Sequence, residues 1–234
     1  MVYKRVSVII PAHNEEATIG NVIQKVQSVI LPNGIEKEII VVDDASTDRT
    51  REVIARNHGI KYISHKKNIG KGGALRSGFE VVTGDIIIIQ DADLEYSPET
   101  YPDLIAPILT GKTLVVFGSR NMQLQKNAYR YRTYLLGGLL IDKFINVILG
   151  LHLTDAITGS KAIARKVLDS FIIESKGFEI EVELTAKISR CGYKIYEIPI
   201  PYKARSFTEG KKIRWYNAAA LLWAAIYYRF STLK

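Results

Sequence analysis

Apolar residues recur along the chain in two alternating patterns. Val6–Ile10, Ile39–Val42 and Ile86–Ile89 are short and almost wholly apolar, as strands buried on both faces are. Ile19, Val22, Ile23, Val26, Val29 and Ile30 instead fall at helical spacing. The pattern predicts strands at Val6–Ile10, Glu38–Val42, Lys61–Ser64, Ile86–Gln90 and Thr113–Gly118. It predicts a first helix capped by Thr18, a second capped by Ser46 or Thr47 and reaching about Asn57, and further helices over Lys71–Val82 and Ser97–Leu109. Strand and helix alternate, and the strands are continuous apolar runs. That combination predicts an α/β fold: a mainly parallel sheet with helices on both faces, binding its ligands beyond the carboxyl ends of the strands.

The second half is less regular. Tyr134–Leu153 is long and apolar but contains Asp142, Lys143 and Asn146, which predicts a surface or partner-packed helix rather than a membrane span. Phe178–Cys191 reads as a helix and Lys194–Pro199 as a strand. Ala218–Tyr228 is an 11-residue apolar run, too short to span, that forms a C-terminal helical elaboration. Two placements are open for it. It packs as a buried helix, against this chain or a second copy, or it lies in a membrane interface with Trp215, Trp223, Tyr227, Tyr228 and Arg229 at headgroup level.

Composition narrows the class. With 234 residues and 47% hydrophobic content the chain can bury a sizeable core, and 24% charged residues with 7 prolines exclude a largely disordered one. The one cysteine, Cys191, excludes an internal disulfide framework and a cysteine zinc site, and the four histidines lack metal-ligand spacing. The first strand starts so early that no leader segment is read, so a cytoplasmic location is expected. The net charge of +8 is uneven: residues 1–117 carry 13 Lys+Arg and 15 Asp+Glu (net −2), residues 118–234 carry 19 and 9 (net +10). A basic second half suits an anionic ligand, whether phosphate-bearing substrate, membrane surface or nucleic acid; a solvated basic face is the plainer reading.

Polar clusters follow three of the predicted strands: Pro11–Glu16, Asp43–Ser46 and Asp91–Glu95. On an extended chain Asp91 and Asp93, flanking Ala92, point to one side, and Glu95 continues the alternation. Such hard oxygen donors suit Mg²⁺ or Mn²⁺, with substrate phosphates completing the shell; an acidic turn before a helix is the alternative. Asp43 and Asp44 can accept hydrogen bonds from a base or ribose, or can belong to a helix-start loop rich in capping residues. Gly70-Lys71-Gly72-Gly73 precedes a helix and could offer amides to phosphate. It is not a dinucleotide fingerprint, because the third glycine would fall at Leu75, and it has no Gly-Lys-Ser/Thr tail. A dehydrogenase is therefore disfavoured. Arg120, Arg130, Arg132, Arg205, Lys211 and Lys212 are the candidate phosphate contacts. Arg205 precedes the basic segment Thr208–Lys212, which could close over a pyrophosphate or be a solvated turn.

Together these segments resemble glycosyltransferase family 2. Pro11-Ala12-His13-Asn14-Glu15, Val42-Asp43-Asp44-Ala45-Ser46-Thr47-Asp48 and Asp91-Ala92-Asp93 resemble its nucleotide-sugar-binding core. Asp155–Lys161, Gly177–Leu184, Glu197–Tyr202 and Arg205–Lys212 resemble the dolichyl- and polyprenyl-phosphate glycosyltransferase branch. The resemblance covers about residues 5–216. It implies the A-type glycosyltransferase fold, a Rossmann-like nucleotide-sugar-binding sheet, in a single domain over 1–234. Residues 1–119 would form the donor half, 120–214 the acceptor-side half and 215–234 the C-terminal helix. It implies that Pro11, His13, Glu15, Asp43 and Asp44 lie about the nucleoside, that Lys71, Gly73, Asp91, Ala92, Asp93, Arg120 and Arg205 contact the nucleotide sugar, and that Asp91, Asp93 and Glu95 hold Mg²⁺ or Mn²⁺. Arg130, Arg132, Lys211 and Lys212 would meet an acceptor phosphate. His13 stands where the family commonly has Tyr, and Glu95 where mannosyltransferase relatives often have Gln, which adds a carboxylate to the expected metal site.

The implied reaction is an inverting transfer of a hexose from GDP-mannose or a UDP-sugar to a polyprenyl or dolichyl phosphate, with Asp93 and Arg205 in the catalytic machinery. A phosphate acceptor is already anionic near neutral pH and needs little base. A hydroxyl acceptor would need a carboxylate, and Glu179 and Glu181 are then the candidates, Glu183 less so. Expected partners are the nucleotide sugar, the lipid phosphate, a membrane surface met peripherally at its cytoplasmic face, and a second copy of the chain through the apolar C-terminal run. Two alternatives stand: a soluble glycosyltransferase acting on a glycan or protein hydroxyl, and a non-catalytic basic module binding RNA or acidic lipid. Nucleic acid is not an expected partner, since no recognisable binding motif is present and the carboxylate clusters would repel a polyanion.

Overall fold

A computed structural model describes residues 3–123, 132–205 and 217–233. Seven strands form one sheet: β1 (Arg5–Ala12), β2 (Glu36–Asp43), β3 (Lys61–Ser64), β4 (Ile86–Ile89), β5 (Val115–Ser119), β6 (Lys161–Ala164) and β7 (Ile195–Pro199). Their order is β3-β2-β1-β4-β6-β5-β7. All pairings are parallel except those of β6, which runs antiparallel to both β4 and β5. The expected mainly parallel α/β sheet is present. Strand order reverses between β1 and β4, so a crevice opens beyond their carboxyl ends. Into it the chain sends Pro11–Glu15 from β1 and Asp91–Glu95 from β4.

β6 is the element that periodicity missed. It is four residues long, fully buried, and starts with a lysine, so neither alternation nor an apolar run marks it. It separates β5 from β4 and brings Lys161 beneath the crevice. The sheet therefore draws strands from both sides of residue 119.

The helices are α1 (Ile19–Ser28), α2 (Thr50–Ala55), α3 (Lys71–Phe79), α4 (Tyr101–Leu109), α5 (Arg132–Leu149), α6 (Arg165–Leu168), α7 (Ile180–Arg190) and α8 (Asn217–Phe230). Two expected caps are corrected. Thr18 precedes α1, but its hydroxyl donates to Glu15 Oε2 at 2.9 Å rather than accepting from the helix. The second helix starts later than Ser46 or Thr47, and Asp48 Oδ1 accepts the Thr50 amide at 2.9 Å. Isoleucine and valine of β1, β2 and β4 fill the main core.

A second apolar cluster joins α5, α7 and α8 through Ile145, Leu149, Val182, Ala186, Leu221, Ala225 and Tyr228. The C-terminal run is thus a packed helix on its inner face. Its outer face leaves Trp223, Ile226, Tyr227 and Phe230 exposed. Among the described residues no helix is long and apolar enough to cross a membrane.

Glu38 of β2 ties three neighbours together. It accepts from Ser7 Oγ at 2.5 Å, Lys61 Nζ at 2.5 Å, and the Thr83 amide and hydroxyl at 2.9 and 3.0 Å. Burial alone would raise its pKa, but these donors outweigh burial and hold it near 2, against an ordinary 4.5. A depressed carboxylate pKa stabilises the fold above the ordinary value, and that stability is lost as pH falls through the folded one. Glu38→Gln is expected to lower unfolding free energy at pH 7 by about 1–3 kcal/mol. It should also flatten the loss of stability between pH 4.5 and 2, read by denaturant titration across that range.

Candidate active site

A cavity of about 680 Å³ occupies the crevice where strand order reverses. One wall comes from the first half: Pro11, Ala12, His13, Glu15, Asp44, Lys71, Asp91, Ala92, Asp93 and Glu95. The opposite wall comes from the second half: Arg120, Asn121, Asp142, Gly159, Glu181, Tyr202 and Arg205, with Thr133, Gly137 and Gly138 of α5 and Ala218 and Leu221 of α8. Topology alone thus gathers most of the residues that the sequence singles out.

The Asp91–Glu95 segment is not extended, which corrects the expected alternation. Strand β4 ends at Ile89, Leu94 adopts a left-handed φ of 60°, and the Glu95 amide donates to Asp93 Oδ1 at 3.1 Å. Asp91 and Asp93 keep the cavity side. Glu95 turns to accept from Tyr202 Oη and the Arg205 amide, each at 2.8 Å. Among the described residues no three His, Cys, Asp or Glu side chains converge on a common metal position, so the expected trio does not assemble by itself. Two carboxylates with substrate oxygens completing the shell remain a hard-donor set fit for Mg²⁺ or Mn²⁺.

The carboxylates that face the cavity are paired with the protein's own cations. Lys71 Nζ lies 2.6 Å from Asp91 Oδ1 and 2.8 Å from Glu181 Oε1. The other Glu181 oxygen pairs with Lys161, which is fully buried. Arg205 bridges Asp93 (Nη2–Oδ2 2.9 Å) and Glu15 (Nη1–Oε2 3.0 Å). Burial would neutralise Lys71, but Asp91 and Glu181 outweigh it and raise its pKa. Burial would likewise raise Glu181, but Lys161 and Lys71 outweigh it and hold the carboxyl below its ordinary range. Asp93 goes the other way. Burial, with Asp91 and Glu95 alongside, pushes it up to about 7 despite Arg205.

Other expected contacts are already engaged. Asp44 lines the cavity, yet its carboxylate accepts the Gly70 amide at 2.7 Å, the Ile69 amide at 3.0 Å and an Nδ1 contact from His65 at 2.7 Å. Asp43 is fully buried and accepts the Ser46 amide at 3.0 Å. It is not on the cavity wall and serves the loop. His13 Nδ1 lies 2.8 Å from the Asp44 carbonyl. The expected phosphate cradle is corrected: the amides of Gly72 and Gly73 donate to the carbonyls of Gly177 and Lys176 at 3.2 and 3.1 Å. A Cβ at Gly70 or Gly72 would strike the backbone of Lys176 or Ser175, so close chain approach explains these glycines. Gly73 is buried off the cavity wall, and a Cβ there would strike the Ile69 side chain.

Arg120 lines the cavity while its guanidinium grips buried Asp155 through two bonds of 2.6 and 2.7 Å. Glu179 accepts the Gly177 amide at 2.9 Å and is off the cavity wall, and Glu183, fully buried, pairs with Lys187 at 2.8 Å. Neither is placed as a base. Arg132 begins α5; Arg130, Lys211, Lys212 and Trp215 lie outside the described residues. Three participants escaped sequence reading. Lys161 was one residue of a segment with no periodic signal. Tyr202 is an ordinary aromatic until Glu95 turns toward it. Asp142, a charge within the apolar α5 pattern, was the one detectable signal. It accepts the Ala156 amide at 2.9 Å, and burial with Asp155 close by pushes it up to about 7.

A nucleotide-binding α/β domain with paired carboxylates at the switch point is the class that this geometry defines. The model of glycosyl transferase family 2 matches residues 7–171, and the chain belongs to that family. It is 30% identical over 212 residues to a dolichol-phosphate mannosyltransferase of Pyrococcus furiosus, covering 88% of this chain and 59% of that protein. It is 31% identical over 233 residues to the low-salt glycan biosynthesis hexosyltransferase Agl6 of Haloferax volcanii (96% and 55%). It is 29% identical to an undecaprenyl-phosphate mannosyltransferase of Micrococcus luteus (88% and 87%). The chain thus spans little more than half the length of the first two. Two of these names support the resemblance to the polyprenyl-phosphate branch. Among solved structures, glucosyl-3-phosphoglycerate synthase of Mycobacterium tuberculosis with UDP superposes with a TM-score of 0.73 at 27% identity, covering 97% of this chain and 80% of that one. The same enzyme with Mn²⁺, UDP and glucosyl-3-phosphoglycerate gives 0.68 at 26%, over the same shares.

A Cβ at Gly159 would strike the Asp91 carboxylate and crowd Tyr96 at 3.2 Å. Gly159→Ala is expected to displace Asp91 and lower turnover of a nucleotide-sugar donor at least about tenfold, about 1.4 kcal/mol in the barrier. The far-UV circular dichroism should stay unchanged. Turnover within twofold of the parent would show that Asp91 is not needed where it stands.

Proposed function

We propose that the chain transfers a hexose from a nucleotide sugar, GDP-mannose or a UDP-sugar, to a polyprenyl phosphate with inversion, dependent on Mg²⁺ or Mn²⁺. The observation that carries this reading is the pair Asp91 and Asp93 on the wall of a cavity at the switch point, faced by Lys71 and Arg205. Asp91 and Asp93 would hold the metal, which supplies charge neutralisation at the leaving diphosphate. Lys71 and Arg205 stabilise the same charge, held at the cavity by their second partners Glu181 and Glu15. Residues before 120 then serve the donor, joined at its diphosphate by Arg205, and the rest of the second half serves the acceptor.

Glu181 is a poor base in this reading. Two lysines hold it ionised and low in pKa, so it positions Lys71 rather than taking a proton. A phosphate acceptor needs no such base, which favours the lipid phosphate. The apolar approach supports the same acceptor. Helices α5 and α8 wall the cavity, and their outer faces expose Leu136, Leu140, Val147, Trp223, Tyr227 and Phe230. This stripe suits peripheral contact with the surface that carries a prenyl chain. A second reading, transfer to the hydroxyl of a small phosphorylated acceptor, is favoured by Asp142, a cavity-wall carboxyl near pKa 7 and thus suited to base catalysis.

Extraction of labelled product into organic solvent, with each donor, polyprenyl phosphate and Mn²⁺, Mg²⁺ or EDTA, tests the first reading; a parallel aqueous assay with 3-phosphoglycerate tests the second. Metal-dependent label in the organic phase is expected. Asp93→Asn is expected to lower transfer at least about a hundredfold, roughly 2.7 kcal/mol, with the fold intact. Retention of activity would remove Asp93 from the metal site. Trp223→Glu/Phe230→Glu is expected to abolish co-flotation with anionic vesicles without shifting the thermal midpoint by more than about 2 °C. Undiminished flotation would remove α8 from the membrane contact.

A further inference from the structure

We infer that Lys71 and Arg205 occupy, in the substrate-free protein, the electrostatic place of the divalent cation, and that a diphosphate must draw them off before the cation binds tightly. This rests on the reading of Asp91 and Asp93 as metal carboxylates and concerns the order in which that site is filled.

Three observations carry it. Each of the two carboxylates lines the cavity and already has a cation on one oxygen: Lys71 at 2.6 Å from Asp91 and Arg205 at 2.9 Å from Asp93. A divalent ion arriving alone must displace both or sit beside two like charges in a mostly desolvated crevice, where repulsion is weakly screened. Second, the carboxylate that would enlarge the site is turned away: Glu95 accepts from Tyr202 Oη and the Arg205 amide, and no third carboxylate converges among the described residues. Two monodentate groups alone hold a hard cation weakly. Third, both cations have a second anionic anchor. Lys71 stays paired with Glu181, whose other oxygen is held by buried Lys161, and Arg205 stays paired with Glu15 at 3.0 Å. Each can therefore let go of Asp91 or Asp93 without being left uncompensated, and each lines the cavity where a diphosphate would offer it new oxygens.

The consequence is reciprocal coupling. The diphosphate would take Lys71 and Arg205, which would bare Asp91 and Asp93 to hold a cation whose charge the diphosphate also offsets. Metal and nucleotide should each tighten the other by the same factor.

The test is Mn²⁺ binding followed by the loss of the free-ion electron paramagnetic resonance signal, on the folded chain, with and without UDP or GDP. Wild type is expected to bind Mn²⁺ alone weakly and at least about tenfold more tightly with the nucleotide that it accepts. Arg205→Gln and Lys71→Met are each expected to tighten Mn²⁺ alone by about threefold or more, to weaken the nucleotide, and so to shrink the coupling factor. If one variant fails to fold, as judged by circular dichroism, the other still reads the effect. Variants that bind Mn²⁺ alone no more tightly than wild type, while UDP or GDP still binds with Mn²⁺, would overturn the inference and leave the proposed function standing. Failure of both nucleotides to bind under any metal condition would overturn the proposed function. The Mn²⁺-only comparison would then still decide whether Lys71 and Arg205 stand in for a cation.

Discussion

Carboxylates crowd the end of an isoleucine-filled sheet, and their mutual repulsion in a desolvated crevice has to be answered by positive charge. Glu15 follows β1, and Asp91, Asp93 and Glu95 follow β4, so parallel strands deliver them to one rim. The answering charges come from elsewhere in the chain: Lys71 from the start of α3, Lys161 from antiparallel β6, and Arg205 from the segment after β7. The two halves are therefore joined by ion pairs across the cavity as well as by the shared sheet. Removing one partner of such a buried pair leaves an uncompensated charge, which costs more than the pair contributes. In the proposed function the same arrangement would serve chemistry, because Glu181 and Glu15 keep Lys71 and Arg205 at the cavity when they exchange Asp91 and Asp93 for a diphosphate.

The cavity is asymmetric in kind. Its wall from the first half is made of strand ends and tight loops whose polar groups are committed: Asp43 and Asp44 hold backbone amides, and the glycines at 70 and 72 allow a neighbouring chain segment to come close. Its wall from the second half is partly helical, with Gly137 and Gly138 of α5 and Ala218 of α8 presenting small residues to the cavity. The same two helices carry exposed leucines and aromatics. In the proposed function the strand-end wall would hold the nucleotide sugar and the helical wall would admit a lipid phosphate.

Much of this was legible in the sequence. Continuous apolar runs such as Ile86–Ile89 can only be strands covered on both faces, and strand–helix alternation implies parallel pairing with polar residues beyond the carboxyl ends. Local pattern therefore determined the first five strands and β7, the helices around them and the cavity's acidic rim. It did not determine β6, whose Lys161 interrupts any apolar signal, nor the direction of Glu95, which depends on a left-handed turn at Leu94 and a tyrosine more than a hundred residues away. Which charges meet was also decided only by the tertiary structure. Asp91, Lys71, Glu181 and Lys161 are spread over four elements, and no spacing along the chain reports that they form one row. Periodicity is set by neighbours three or four residues apart, whereas ion pairing in a desolvated site is set by whatever the fold brings within about 3 Å.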